Sequence, residues 1–268
     1  MNYRVLIVGF RQGISDALQR LAIPHAVWHH KPLASTAAFL ATQIRDFPRS
    51  RDKINAVGDL FTGHGPFTHI VAGTEAAVYP ASVLRRHLGA RLSKNSIALR
   101  CHDKLQMKAH LKTRQIPMTD FVPGDAAEAA EKLFQELGKP LVVKSRQQSG
   151  GRGIIFADNE QVLRRYRNRG KIVERYVDAP EFSVEAFINH KQIFFQNITQ
   201  YYVKGHVNVM PAILSTSQQQ ILLDLNRKVI DTLKINWGLT HMEVFLTEQG
   251  PLFGEIALRP PGGYLMQL

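Results

Sequence analysis

The run Leu141-Val-Val-Lys144 leads into Ser149-Gly-Gly-Arg-Gly153. A lysine at the end of a buried strand, followed by glycines whose amides can approach closely, suits a triphosphate. The loop is not a P-loop sequence, and the same glycines would serve a hairpin turn by supplying positive φ angles. Two carboxylates form the second candidate. Glu243 in His-Met-Glu-Val-Phe and Glu255 in Leu-Phe-Gly-Glu-Ile lie on neighbouring strand-like runs joined by a turn at residues 248–250. Paired as a hairpin, those runs bring both glutamates to one face. Like charges there call for a cation such as Mg²⁺ or an arginine. The alternatives are a solvent-facing glutamate or a pairing with Arg259. The third candidate is Ile172-Val-Glu174-Arg-Tyr-Val177, followed by Glu181. Main-chain groups of a strand edge can bond adenine and a carboxylate can accept from ribose hydroxyls, although the plainer reading is a strand with a surface glutamate.

These residues need elements to position them. Over the first hundred residues short apolar runs alternate with helix-like stretches, which predicts α/β layering on a parallel sheet. Strands are expected over 3–8, 25–28 and 69–72, and helices over 11–21 and 76–88. No dinucleotide fingerprint follows the first strand, since Gly9 and Gly13 are the only glycines there. The polar segment 45–66 reads as a long connection. Further on, Asp103 with Gln106, Asp125 with Glu128 and Ser217 with Gln220 have the spacing of helix-start caps, predicting helices over 104–114, 126–137 and 218–234. Strands are expected over 141–144, 153–156, 172–176, 182–188, 192–200, 240–246 and 252–257, giving an α+β part with mainly antiparallel sheets.

The chain has 268 residues, one cysteine and a formal net charge of +12. Its length allows two moderate domains, each with its own core. Cys101 alone excludes an internal disulfide framework, and a reducing cytoplasm is the expected setting. The apolar segment 3–8 is too short to span a bilayer and lacks a cleavage site, so no membrane association is expected. Basic residues crowd at Arg164, Arg165, Arg167, Arg169 and Lys171, with Tyr166 as the lone interleaved aromatic. A solvated helix face accounts for that run and a nucleic-acid partner is not expected, although ATP would benefit from the same field. His29 with His30 and His64 with His69 read as loop histidines, and Cys101 as a small buried residue.

Taken in order, "HDKLQMKAHLKTRQIP", "LGKPLVVKSRQQSGGRGI", "IVERYVDAPEFSVEAFI" and "THMEVFLTEQGPLFGEIALRPPGG" resemble the ATP-grasp superfamily. The resemblance covers Ile97 to Gly263, with the preceding residues matching the smaller α/β domain of such enzymes. It implies an N-terminal domain over 1–97 and an ATP-grasp domain over 98–268, expected to be incomplete because the chain ends at Leu268. It further implies that Lys104 and Lys144 contact phosphates under a loop formed by Ser149, Gly150, Gly151 and Gly153. Glu174, Arg175 and Val177 would line the adenine pocket, the last two through backbone atoms, and Glu181 would hold the ribose. Glu243 and Glu255 would coordinate Mg²⁺, with Mn²⁺ as a substitute, and Arg259 would face the transferred phosphoryl group or the substrate carboxylate. Many members carry an asparagine where this chain has Ala257; branches with alanine there include a carboxylase group and some amino-acid ligases. The implied function is ATP-dependent activation of a small-molecule carboxylate for attack by a nucleophilic acceptor, with a homodimer compatible. The rival readings are a carboxylase working through carboxyphosphate and a shortened, non-catalytic nucleotide- or nucleic-acid-binding protein.

Overall fold

The computed structural model describes residues 3–29, 40–43, 47–90, 95–151, 153–203 and 206–262, with only the backbone for 40–43 and 95. His30, Arg152, Lys204, Gly263 and Leu268 therefore lie outside the described residues.

The first sheet contains β1 (Val5–Val8), β2 (His25–His29), β3 (Leu40–Gln43) and β4 (His69–Ala72), all parallel, in the order β3-β2-β1-β4. Strand β1 is buried along its whole length because helices cover both sides, as its unbroken apolar run requires. Val5 and Ile7 pack with Val27 and the apolar stripe of α1 (Gln12–Arg20). Leu6, Val8 and Trp28 pack on the other side with residues of α2 (Arg51–Asp59) and α3 (Val78–His87). The expected α/β layering is present. The segment read as a long connection instead contains α2, started by the Ser50 hydroxyl accepting from the Lys53 amide and anchored by Ile54 and Val57. Two apolar anchors in nine residues are too few for its period to stand out. The proposed boundary after residue 97 falls inside α4 (Asn95–His102).

Helix α5 (Lys104–Lys112) starts as its spacing predicts, with the Asp103 carboxylate accepting from the amides of Leu105 and Gln106. The second sheet is antiparallel, in the order β5-β8-β6-β7, from β5 (Phe121–Pro123), β6 (Leu141–Ser145), β7 (Ile155–Ala157) and β8 (Lys171–Arg175). One face, carrying Leu141, Val143 and Val173, packs on α6 (Ala130–Leu137) and α7 (Glu160–Tyr166). Pairing of Val142 with Glu174 and of Lys144 with Ile172 sends the charged residues to the other face. Helix α6 starts four residues later than Asp125 suggested, at the first residue of its buried stripe of Ala130, Leu133, Phe134 and Leu137.

The third sheet is also antiparallel, in the order β11-β10-β9-β12-β13, from β9 (Glu181–Asn189), β10 (Gln192–Val203), β11 (Val207–Val209), β12 (Trp237–Thr247) and β13 (Gly250–Ala257). Phe182, Val184, Ala186, Met242, Val244 and Ile256 bury one face against α8 (Thr216–Leu233). The alternate residues, among them Glu181, Ser183, Glu185, His241, Glu243 and Glu255, share the opposite face through the register. Helix α8 opens with a capping box between Ser215 and Gln218, two residues before the expected one. The run Ser215-Thr-Ser-Gln-Gln-Gln220 offers both frames, and the earlier one adds two residues to the helix.

Candidate functional site

The polar faces of the second and third sheets converge on one cleft, crossed by the start of α5. Lys104 reaches from the first turn of that helix to Glu255 (Nζ–Oε2 3.1 Å) and donates to the Gln148 carbonyl at 2.6 Å. It thereby touches the third sheet and the glycine loop together. Lys144, at the end of β6, approaches Glu174 Oε2 at 2.9 Å. Burial disfavours its ammonium, but Glu174, Glu255 and Glu243 outweigh that and raise its pKa. Lys144 and the two glutamates of the third sheet therefore face common ground.

Glu243 and Glu255 are direct cross-strand partners on β12 and β13. His241 sits beside them, its Nδ1 2.8 Å from Glu185 Oε1 and its Nε2 3.2 Å from the Tyr201 hydroxyl and 3.7 Å from Glu243 Oε1. Ser183 and Thr199 donate to the two oxygens of Glu185 at 2.6 and 2.9 Å. Burial works against the His241 cation, yet the bond to Glu185 and the proximity of Glu243 push its pKa up to about 9.

Glu174 is buried, with 3 % of its surface exposed. Its carboxylate turns inward onto Lys108, Lys144 and Thr119. Arg175 points to the other side, donating to Asp120 Oδ2 and the Glu136 carbonyl at 3.1 Å each, and its amide is taken by the Asp120 carbonyl. Val177 and Glu181 follow at the crossover to the third sheet, both half-buried. Between Lys144 and Ile155 the chain does form a hairpin loop, with Gly150, Gly151 and Gly153 at φ of 71°, 69° and 68°. Ser149 and Gly150 also line a cavity of about 950 Å³ between this loop and the first sheet. The positive φ angles are those the hairpin reading of the glycines expects.

Arg259 lines the same cavity from the end of β13 and donates to Glu75 Oε2 at 2.9 Å. The other oxygen of Glu75 meets His102 Nδ1 at 3.2 Å. Burial alone would raise the Glu75 pKa, but His102 and Arg259 reverse that and hold it low. Arg11, also on the wall, has its pKa lowered by burial and by the nearby Arg259 guanidinium. The cavity is thus lined by three guanidiniums, those of Arg11, Arg49 and Arg259, with the imidazole of His102 and the carboxylate of Glu75.

Sequence reasoning missed Lys108, although it lies one helical turn after Lys104. It also missed Glu185 and His241, which strand alternation alone places on the face of Glu243. Nothing local marks Glu75, whose partner Arg259 is 184 residues away. Cys101 is buried in the core and its thiol is pushed up by burial. Among the described residues no group of three histidine, cysteine or acidic side chains could hold a metal by itself. Among the described residues no helix is long and apolar enough to cross a membrane.

Residues 109–263 match the family model described as the ATP-grasp domain. The chain is 28% identical over 223 residues to an L-arginine-specific L-amino acid ligase of Bacillus subtilis, covering 76% of this chain and 54% of that protein. It thus spans about half the length of that curated relative. Among solved structures, an L-amino acid ligase from Bacillus licheniformis superposes with a TM-score of 0.81 at 17% identity, over 99% of this chain and 69% of the other. N5-carboxyaminoimidazole ribonucleotide synthetase from Thermotoga maritima gives a TM-score of 0.77 at 22% identity, over 97% and 69%. Sheets, cleft and matched residues agree: this chain belongs to the ATP-grasp family.

Proposed function

We propose that the chain binds Mg-ATP in this cleft and that a substrate carboxylate takes the γ-phosphoryl group, releasing ADP and giving an acyl phosphate from which an amine or another nucleophile then displaces inorganic phosphate. The observation that carries the reading is the contact of Lys104 with Glu255, the cross-strand partner of Glu243, and with the Gln148 carbonyl of the glycine loop, with Lys144 near enough for both glutamates to act on its charge. The donor set suits Mg²⁺, or Mn²⁺ in its place: two hard oxygen ligands, with the remaining positions left for phosphate and water. Glu243 and Glu255 would hold that ion, whose charge would stabilise the transferred phosphoryl group.

In this reading Lys104 and Lys144 take phosphate oxygens, and the amides of Ser149, Gly150, Gly151 and Gly153 cover the phosphates. The chain from Glu174 to Val177 borders the adenine and Glu181 accepts from the ribose. Because the Arg175 amide is already engaged, its carbonyl is the group left for the base. Glu174 serves the nucleotide through Lys144 rather than by touching the base. Arg259 faces the reacting carboxylate, where a fixed guanidinium stabilises charge. The cavity's cations beside one carboxylate suit a zwitterion, and amino acids are the substrate class we assign, in keeping with the name of the Bacillus subtilis relative.

A thermal-shift titration with Mg-ATP on wild type, Lys144→Ala and Glu255→Ala tests the site. Wild type should gain about 2.7 kcal/mol at a hundredfold excess over Kd, and the variants little. Equal stabilisation of all three proteins rejects the assignment. ADP release stimulated by amino acids and not by bicarbonate supports the ligase over the carboxyphosphate reading.

A further inference from the structure

Lys108 is a charged residue that no ligand can reach: its side chain is wholly buried on α5, behind the cleft. Its ammonium lies 3.1 Å from Glu174 Oε2 and donates to the Thr119 hydroxyl. Thr119 in turn donates to that same carboxylate oxygen at 3.2 Å. Lys144 reaches it from the other side at 2.9 Å. One oxygen of Glu174 thus gathers two ammonium groups and a hydroxyl, while Oε1 is buried with no hydrogen-bond partner. The Phe121 ring, cross-strand neighbour of Glu174, lies 5.7 Å from the Lys108 ammonium and closes the site from outside.

Burying a third charge is expensive unless it performs a task, since each desolvated ion costs several kcal/mol before pairing. Glu174 and Lys144 alone would form a neutral pair. The lysine would then be held inward by a full countercharge, with little field left for an anion in the cleft. With Lys108 the cluster carries one net positive charge, and Lys144 is its only member that reaches the cleft.

We propose that Lys108 is a positioning residue for the nucleotide phosphates: acting through Glu174, it offsets the buried carboxylate so that the charge of Lys144 is offered to the triphosphate. This rests on the reading of the cleft as the Mg-ATP site. The protonation states agree with the geometry. Burial lowers the Lys108 pKa to about 8 against the pull of Glu174, so the ammonium persists at neutral pH, and the Glu174 pKa is held low by both lysines despite burial. The charged groups acting on Lys108 are Glu174 on β8, Lys144 on β6 and Glu255 on β13.

The test compares ATP with adenosine, which lacks phosphates, in binding titrations with Mg²⁺ on wild type and Lys108→Met. A loss of charge under Lys144 predicts that ATP affinity falls about tenfold while adenosine affinity holds within about twofold. A merely structural role would weaken both ligands together, and that result, or wild-type ATP affinity in the variant, overturns the proposal. The double variant Lys108→Met/Glu174→Gln, which buries neither charge, should recover most of the ATP affinity; no recovery counts against the proposal. Wild type supplies a measurement free of folding defects: between pH 7 and 9 its ATP affinity should drop as Lys108 deprotonates, with adenosine flat. His241 titrates in the same window and is retained in the double variant, so the drop must be larger in wild type than in that variant; equal drops in the two overturn the proposal. A flat wild-type profile overturns the proposal, and failure of wild type to bind Mg-ATP overturns both it and the reading it rests on.

Discussion

Glu243 and Glu255 stand opposite each other because Gly254 is an extra residue in β13. From the turn to Val244 the hairpin pairs Thr247 with Gly250, Phe245 with Leu252 and Val244 with Phe253. Without a shift, Glu243 would next face Gly254, and Glu255 would face Met242 on the side buried against α8. The bulge between Glu243 and Val244 advances the register by one residue, and one residue is enough to change faces.

Deleting Gly254 should therefore turn the Glu255 carboxylate toward the core. We expect loss of Mg-ATP stabilisation in a thermal-shift assay together with a lower melting temperature. Gly254→Ala is milder: its Cβ would lie 3.1 Å from the Glu243 carbonyl oxygen. Destabilisation of about 1–2 kcal/mol is expected.

Glu75 ties the first sheet's domain to Arg259 and His102. Replacing it with Gln should cost about 1–3 kcal/mol at pH 7, because it leaves a partly buried guanidinium without its countercharge. The folded pKa of Glu75 is depressed, so its contribution is present above the ordinary value of 4.5 and disappears as pH falls through the lower folded value. Denaturant melts of wild type and Glu75→Gln should converge in acid; a gap that is constant down to acid pH would contradict the pairing.

The His241 pKa is raised from 6.5 to about 9. Its contribution is therefore complete below 6.5 and lost as pH rises through 9. In metal-free protein, the stability gap between wild type and His241→Gln should shrink across that window, by on the order of 3 kcal/mol. Chemical denaturation at pH 6 and at pH 10 measures it.

Ser215→Ala removes the capping box of α8, and with it one partner of the Gln218 amide. A loss of about 1 kcal/mol is expected, read as a lower melting temperature without change in nucleotide affinity. Ser217→Ala, at the frame the spacing had suggested, should cost less.

Much of this architecture was readable from local chemistry. The apolar run within 3–8 announced the strand β1, and Asp103 announced the start of α5. The errors have local causes as well. Two anchors hid α2, two overlapping frames blurred the start of α8, and the buried stripe of α6, rather than Asp125, decided where that helix begins.

The sequence by itself determined which chemical groups the chain carries, their order, and which neighbours share a face, because helix and strand periods act within a few residues. Only the tertiary structure decided that Glu174 turns to two lysines, that Glu255 faces the cleft, and that Arg259 meets Glu75 across 184 residues. Those outcomes depend on how sheets pack and where one strand takes an extra residue, and distance along the chain carries no measure of either.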